Sequence, residues 1–236
     1  MVLKCFFGGF MKVCFITRDS VNETWKNNLD KISGNDLVVF GFNGLGLVSY
    51  KKELNGETEY FSDVAKLSKQ LSSVIVCGCD TDTYGVFRHS VVVADKGKIL
   101  GVTDMVHAID ESEFASGGNF RVYDTSSGKI GIIVCEDLYF PESARALTLF
   151  DADIIVCIFK KVENHVPNLM LRAGAFSNGV LMALCADNYA SVSNIKGEIL
   201  LASPKDIIKT QLKIEKDYHL IVSRRRGMYR EFSSDY

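Results

Sequence analysis

The chain has 236 residues, 47% of them apolar and 24% charged, and its 27 basic and 29 acidic side chains leave a formal net charge of −2. This length and composition suffice for one well-buried domain, expected over residues 11–236 with residues 1–10 as an N-terminal extension. The two charge signs are mixed along the sequence, which argues against nucleic acid and an anionic membrane as partners. No apolar run is long enough for a membrane-spanning helix.

The seven cysteines are odd in number, and most lie inside apolar runs such as VIVCGCD at 74–80. That usage indicates a reducing compartment rather than a disulfide framework, so a cytoplasmic location is expected. The sequence has no C-x-x-C pair, and its four histidines are scattered. We therefore expect neither a metal site nor a cofactor.

Apolar runs and amphipathic segments alternate along the chain. They predict strands at 12–17, 36–40, 73–79, 86–94, 98–104, 130–134, 153–158, 180–186, 191–194, 198–202 and 219–223, and helices at 21–33, 60–71, 142–150 and 166–178. Such alternation is typical of an α/β fold in which helices cover a sheet.

The segment GKIGIIVCEDLYFPE at 128–142 places Cys135 directly after a buried strand. Pro141 is a typical first residue of the helix that follows. A thiol on this turn would lie at the carboxyl edge of a sheet, where open α/β sheets bind their ligands. A buried and inert cysteine is the commoner case for an isolated thiol.

This segment resembles the nucleophile block of the nitrilase superfamily, the carbon-nitrogen hydrolases. The matching positions are Gly128, Ile130, Gly131, Cys135, Asp137, Phe140, Pro141, Glu142 and Arg145. Further blocks in the same order as in that family occur at 27–40, 90–101, 151–156 and 175–188. The resemblance implies a four-layer αββα sandwich.

The resemblance also implies a Glu-Lys-Cys triad, in which the glutamate is the base, the lysine stabilises the oxyanion and the cysteine is the nucleophile. Cys135 matches the nucleophile, but Phe42 stands at the glutamate position and Met105 at the lysine position. Residues 37–47 contain no Asp or Glu, and residues 101–110 contain no Lys or Arg. No small shift of the alignment therefore restores the triad.

Relocated charges are the alternative. Lys160 or Lys161 follows the neighbouring strand, and Asp104 or Glu136 offers a carboxylate. The family also has an extra glutamate after its lysine, which Glu111 or Glu113 would match. We count Glu136, Phe140 and Lys160 as candidate pocket residues. The alternative is that these charges are solvated loop residues, since most Lys and Glu side chains are exposed.

The sequence leaves three functions open. The first is a catalytically silent family member that binds a small amide-like molecule or has a regulatory role. The second is an active thiol amidase that acts on a small amide with relocated acid and base groups. The third is redox or other thiol chemistry at Cys135.

The resemblance further implies a homodimer or higher homo-oligomer formed through the helices beside the nucleophile turn. The expected contact residues are Ala144, Leu147, Phe150 and Phe176. The basic run at 224–226 either packs against the partner subunit or is a solvated C-terminal stretch.

Overall fold

The computed structural model describes residues 9–109 and 113–223. Its strands are β1 (Phe10–Ile16), β2 (Leu37–Phe40), β3 (Leu47–Ser49), β4 (Val74–Thr83), β5 (Val86–Asp95), β6 (Lys98–Asp104), β7 (Arg121–Thr125), β8 (Gly128–Val134), β9 (Ile154–Lys161), β10 (Leu181–Asp187), β11 (Tyr189–Ser193), β12 (Ile199–Ser203) and β13 (Ile207–Lys213). Its α-helices are α1 (Val21–Asn27), α2 (Leu29–Ile32), α3 (Tyr50–Leu54), α4 (Tyr60–Leu71), α5 (Pro141–Leu149), α6 (Val166–Asn178) and α7 (His219–Val222).

The strands form two mixed sheets. The first sheet has the order β13-β1-β2-β4-β5-β6, with β3 paired to the end of β4, and the second has the order β12-β11-β10-β9-β8-β7. The central strands of each sheet are parallel, namely β1, β2 and β4 in the first and β8, β9 and β10 in the second. Apart from β3, which runs parallel to β4, the remaining strands of both sheets are antiparallel to their neighbours.

Three apolar layers establish the αββα sandwich expected from the resemblance. The central layer lies between the sheets and contains inward-facing side chains of both, such as Val76 and Val156. A second layer joins the first sheet to α1, α2 and α4, and a third joins the second sheet to α5 and α6. Strands covered on both faces explain why their sequences are continuous apolar runs rather than alternating patterns.

Most predicted elements agree with the structure, and the helices at 60–71 and 166–178 and the strand at 98–104 agree residue for residue. The predicted strand at 219–223 is wrong, because His219–Val222 is a short helix. A four-residue apolar run cannot be assigned to helix or strand by periodicity alone. The prediction also missed β3, β7, β13 and α3.

The predicted helix at 21–33 is divided at Asn28. The Asn28 side chain donates to Asp19, and its backbone N–H donates to Thr24. The Asn28 backbone, with φ −133° and ψ 14°, leaves the helical conformation and so separates α1 from α2. The N-terminus of α1 is fixed by a reciprocal capping box between Ser20 and Glu23.

The structure contradicts two of the four expected dimer contacts. Ala144 and Leu147 are 4% and 0% exposed and pack against the second sheet within the same chain, so their side chains cannot form a surface for a partner. Phe150 and Phe176 remain 64% and 52% exposed. The assignment failed because helix periodicity does not say which apolar positions face the chain's own sheet.

Several sequence predictions fall outside the described residues, including Glu111, the basic run at 224–226 and residues 1–8 of the expected extension. β1 begins at Phe10, one residue before the expected start of the domain, and Gly9 accepts a hydrogen bond from Ile214. No helix within 9–109 and 113–223 is long and apolar enough to cross a membrane.

The segment after β13 is held against the second sheet by backbone and charge contacts. The Lys216 ammonium lies 2.8 Å from Asp151 and 2.6 Å from Asp153. The hydrogen bond from Lys216 is the main reason that the pKa of Asp151 falls to about 2. The Asp217 amide donates to the carbonyl oxygen of Gly179, the residue that ends α6.

Gly179 is required at this position for two reasons. Its φ of +60° lies in the left-handed region, and a Cβ there would lie 1.6 Å from the Asp217 carbonyl oxygen. Gly34 has a φ of +77°, but a Cβ there would meet no atom within 4 Å. Alanine at position 34 would therefore introduce backbone strain alone, whereas alanine at position 179 would introduce both strain and a steric clash.

We predict that Gly34→Ala lowers the free energy of unfolding by about 1–2 kcal/mol, which is the cost of a left-handed alanine. Gly179→Ala should cost clearly more, because the Asp217 backbone must also move. Urea unfolding at equilibrium would measure both variants. Equal losses would mean that the C-terminal segment moves away from α6 at little cost.

Candidate functional site

The candidate site lies where the carboxyl ends of the central parallel strands of both sheets meet. Phe42 begins a short 3₁₀ helix two residues after β2, and Cys135 begins another directly after β8. Met105 follows β6, and Lys160 lies near the end of β9. The topology therefore brings together four residues that are far apart in sequence, at the edge where α/β folds bind ligands.

Cys135 has the backbone conformation of a residue on a sharp turn. Its φ of +47° is in the left-handed region, which is uncommon for a residue with a side chain, and it is only 1% exposed. Burial raises the pKa of the Cys135 thiol well above its ordinary value, and the charge of Glu136 raises it further. The Lys160 ammonium opposes this shift without reversing it.

Phe42 and Met105 extend the central apolar layer to the thiol. They are 6% and 4% exposed and belong to the same buried cluster as Cys135. Gly78 on β4 allows this packing, since a Cβ there would lie 2.7 Å from both the Phe42 Cα and the Ile158 Cγ2. Neither side chain can accept a proton or carry a charge.

The buried carboxylate of Asp137 fixes the Met105 loop to the nucleophile turn. It accepts hydrogen bonds at 2.8 Å from the backbone amides of Val106 and His107, and the His107 Nδ1 lies 2.8 Å from it. Burial raises the pKa of Asp137, and these three hydrogen bonds oppose the rise. The His107 ring also stacks on Phe140 at 3.9 Å, which agrees with a structural role for this histidine.

Lys160 lies over the aromatic side chains at the mouth of the site. Its Nζ is 5.1 Å from the centre of the Phe42 ring and 4.8 Å from that of Phe114. Both distances are within the range of cation–π attraction. The predicted pocket residue Lys160 thus covers Phe42, which belongs to the same buried cluster as Cys135.

The structure adds two titratable residues that the sequence prediction missed. The His89 Nδ1 lies 2.5 Å from the Asp80 Oδ1, and the His89 ring contacts both Phe42 and Phe114. The φ angles of Tyr84 and Gly85, +53° and +89°, fit a two-residue hairpin turn. Along the sequence, Asp80 precedes this turn by as many residues as His89 follows it, and the two are paired across the hairpin. Setting the register of this hairpin from its turn would have paired the two residues.

The other predicted residues are spread around this centre. Glu136 is partly buried next to Cys135, and Phe140 is partly buried against His107. Glu113 is exposed, and Glu111 lies outside the described residues. Asp104 accepts a hydrogen bond from Ser90 and faces Arg88, while Lys161 pairs with Glu163.

Two further observations limit what the described residues can bind. Residues 9–109 and 113–223 contain no group of three or more His, Cys, Asp or Glu placed to hold a metal ion. A surface depression of about 430 Å³ lies over β7, and no site residue lines it. The depression is lined by Phe120, Arg121, Val122, Tyr123, Asp124, Lys129 and Phe150.

The shared burial of Phe42 and Met105 yields a stability prediction. Met105→Lys buries one unpaired charge and should cost about 3–5 kcal/mol of unfolding free energy. Phe42→Glu should cost less, because the Lys160 ammonium lies 5.1 Å from the centre of the ring that the carboxylate replaces. The double variant places both charges beside His89, whose ring contacts Phe42 and whose carbonyl oxygen accepts the Met105 amide, so it should recover part of the summed loss in a double-mutant cycle.

Leu212 provides the control for this cycle. It is 2% exposed in the same apolar layer. It pairs with Met11 near the amino end of β1, whereas the site lies at the carboxyl ends of the parallel strands. Leu212→Lys combined with Phe42→Glu should therefore be additive in urea unfolding. If the losses of unfolding free energy for Phe42→Glu and Met105→Lys are additive too, the two charges do not interact.

Comparison with known proteins agrees with the fold. The carbon-nitrogen hydrolase family model matches residues 20–222. A nitrilase of Pyrococcus abyssi is 32% identical over 155 residues, which cover 64% of this chain and 58% of the relative. A probable nitrilase of Schizosaccharomyces pombe is 27% identical over 152 residues, covering 61% of this chain and 56% of the relative.

The matched region thus spans between half and two thirds of these two relatives. Among solved structures, a carbon-nitrogen hydrolase from Helicobacter pylori superposes with a TM-score of 0.76 at 20% identity, covering 93% of this chain and 97% of that one. Saccharomyces cerevisiae Nit3, a nitrilase-superfamily member, gives a TM-score of 0.72 at 17% identity over 96% of this chain and 97% of that one. At such identity these structures establish the fold alone. The family model, in contrast, matches most of the sequence. The chain therefore belongs to the carbon-nitrogen hydrolase family, the nitrilase superfamily.

Proposed function

We propose that this protein is a carbon-nitrogen hydrolase homologue whose Cys135 site binds a small amide-like molecule without efficient hydrolysis, in a binding or regulatory role in the cytoplasm. Phe42 and Met105 replace the glutamate and lysine of the family triad in this proposal. The names nitrilase and omega-amidase given to similar proteins support an amide-like ligand. Cys135 then serves as part of the site wall rather than as a nucleophile.

The burial of the thiol among apolar side chains is the observation that carries this proposal. Hydrolysis of an amide by a thiol requires a thiolate, a base that later protonates the leaving nitrogen, and donors for the oxyanion. Cys135 is 1% exposed, and burial raises its pKa well above the ordinary value. Phe42 and Met105 supply neither proton transfer nor charge to correct this.

An active thiol amidase with relocated groups is the second candidate. The Asp80–His89 pair favours it, because a histidine oriented by a carboxylate is a common general base. Lys160 supplies a positive charge that lowers the pKa of Cys135. The net shift in that pKa is nevertheless upward, which is why we rank this function second.

The deciding experiment is single-turnover acylation of Cys135, followed by intact mass. An active thiol would attack a primary amide, form a thioester with Cys135 and release ammonia. We expect short aliphatic amides to give no mass increase beyond that of Cys135→Ala, because the thiol stays protonated and covered.

A thioester adduct mapped to Cys135 would overturn the proposal. The dependence of that adduct on His89 would then test the second candidate, with His219→Ala as a matched control at a surface histidine. Loss of the adduct in His89→Ala, but not in His219→Ala, would identify a relocated base. Retention of the adduct in both variants would exclude His89 as a relocated base.

We further propose that the chain forms a homodimer through α5 and α6. Leu149 and Phe150 at the end of α5 are 65% and 64% exposed, and Leu169 and Phe176 on α6 are 53% and 52% exposed. Because α5 packs on α6 in the same chain, these side chains offer one apolar surface. A second copy of the same surface would bury it symmetrically.

Light scattering at micromolar concentration should therefore give about twice the 26.2 kDa mass of the chain. Phe150→Asp together with Phe176→Asp should shift the mass to that of a monomer, since a charge on each side opposes burial. Leu54→Asp on α3, where Leu54 is 75% exposed, is the control and should remain dimeric. A monomeric wild-type protein would refute this interface.

A further inference from the structure

The aromatic side chains around Lys160 form a compact group. His89 joins the two phenylalanines, with ring centres 5.2 Å from Phe42 and 3.7 Å from Phe114. The Lys160 ammonium lies about equally far from both phenylalanine rings, at 5.1 and 4.8 Å. We call Phe42, His89 and Phe114 the aromatic cage.

The chemistry of the cage suits a positive charge. The faces of phenylalanine rings carry negative quadrupole potential and attract ammonium groups. The Asp80 carboxylate, 2.5 Å from the His89 ring nitrogen, adds a negative charge beside the cage. Phe42 is 6% exposed and Phe114 is partly buried, so the rings are held in place by their surroundings.

Lys160 is the exposed member of this arrangement. It lies near the carboxyl end of β9, next to Lys161, whose ammonium pairs with Glu163 at 3.2 Å. Fixing a long lysine side chain has an entropy cost, which offsets much of the attraction of the exposed cation–π contact. Displacing this ammonium from the cage therefore requires little free energy.

We propose that the aromatic cage is a binding site for the ammonium group of a small alkylammonium ligand, and that Lys160 occupies it when no ligand is bound. The inference rests on the proposed binding function and specifies its ligand class. The protein's own lysine shows which chemical group the cage accepts. A ligand with an ammonium at one end and an amide at the other would reach from the cage toward Cys135.

Competition between Lys160 and added ligand provides the test. The probe is n-butylammonium chloride, titrated by calorimetry at constant ionic strength into wild-type protein and into Lys160→Ala. Removing the intramolecular competitor should tighten binding about two- to fivefold, because the lysine contact that is lost is weak. Lys161→Ala removes the same charge from the neighbouring residue without touching the rings, and it should bind like the wild type.

Two additional measurements test the nature of the contact. 1-Butanol, which has the same alkyl chain without a charge, should bind neither protein. Phe114→Leu in the Lys160→Ala background keeps apolar volume but removes one ring, and it should abolish the gain in affinity. Thermal melting of each variant confirms that the fold is retained.

The inference is overturned if Lys160→Ala does not tighten binding, or if Lys161→Ala tightens it equally, since the effect would then be one of net charge. It is also overturned if 1-butanol binds as well as n-butylammonium. Failure here leaves the proposed function intact as long as Cys135 resists acylation. Acylation of Cys135 would refute the proposed function even if the cage binds n-butylammonium.

Discussion

The packing of two sheets face to face determines what can occupy the site. Both inner faces must be apolar to form the central layer, and the parallel strands of both sheets end at the same edge. Any residue that follows these strands is therefore placed beside the boundary between core and solvent. In this chain Phe42 and Met105 extend the core up to Cys135, so the boundary lies outside the thiol.

Three titratable groups lie around the aromatic rings of the site. Asp80 and His89 lie on paired positions of β4 and β5, and Lys160 lies on the opposite sheet. His89 and Lys160 contact the phenylalanine rings, and Asp80 pairs with His89. The proposed recognition of a charged ligand at the mouth of the site depends on these groups, whereas proton transfer at Cys135 would require direct hydrogen bonding to the reacting atoms.

The sequence predicted the fold better than it predicted the site. Long periodic segments such as 60–71 and the buried strand before Cys135 have strong local signals, and the motif around Cys135 identified the family. The Asp80–His89 pair was missed because a cross-strand pair depends on hairpin register, which residue-by-residue periodicity does not provide. Ala144 and Leu147 were misassigned for a related reason, since their burial depends on the sheet beneath α5.

The backbone of Cys135 bears on how this position can change. A left-handed φ of +47° costs a residue with a Cβ about 1–2 kcal/mol, whereas glycine adopts it without penalty. If the thiol contributed nothing, substitution by glycine would relieve strain while losing only a small buried side chain. Glycine at this position would therefore exchange relief of backbone strain for loss of the buried thiol, so the backbone alone does not require cysteine here.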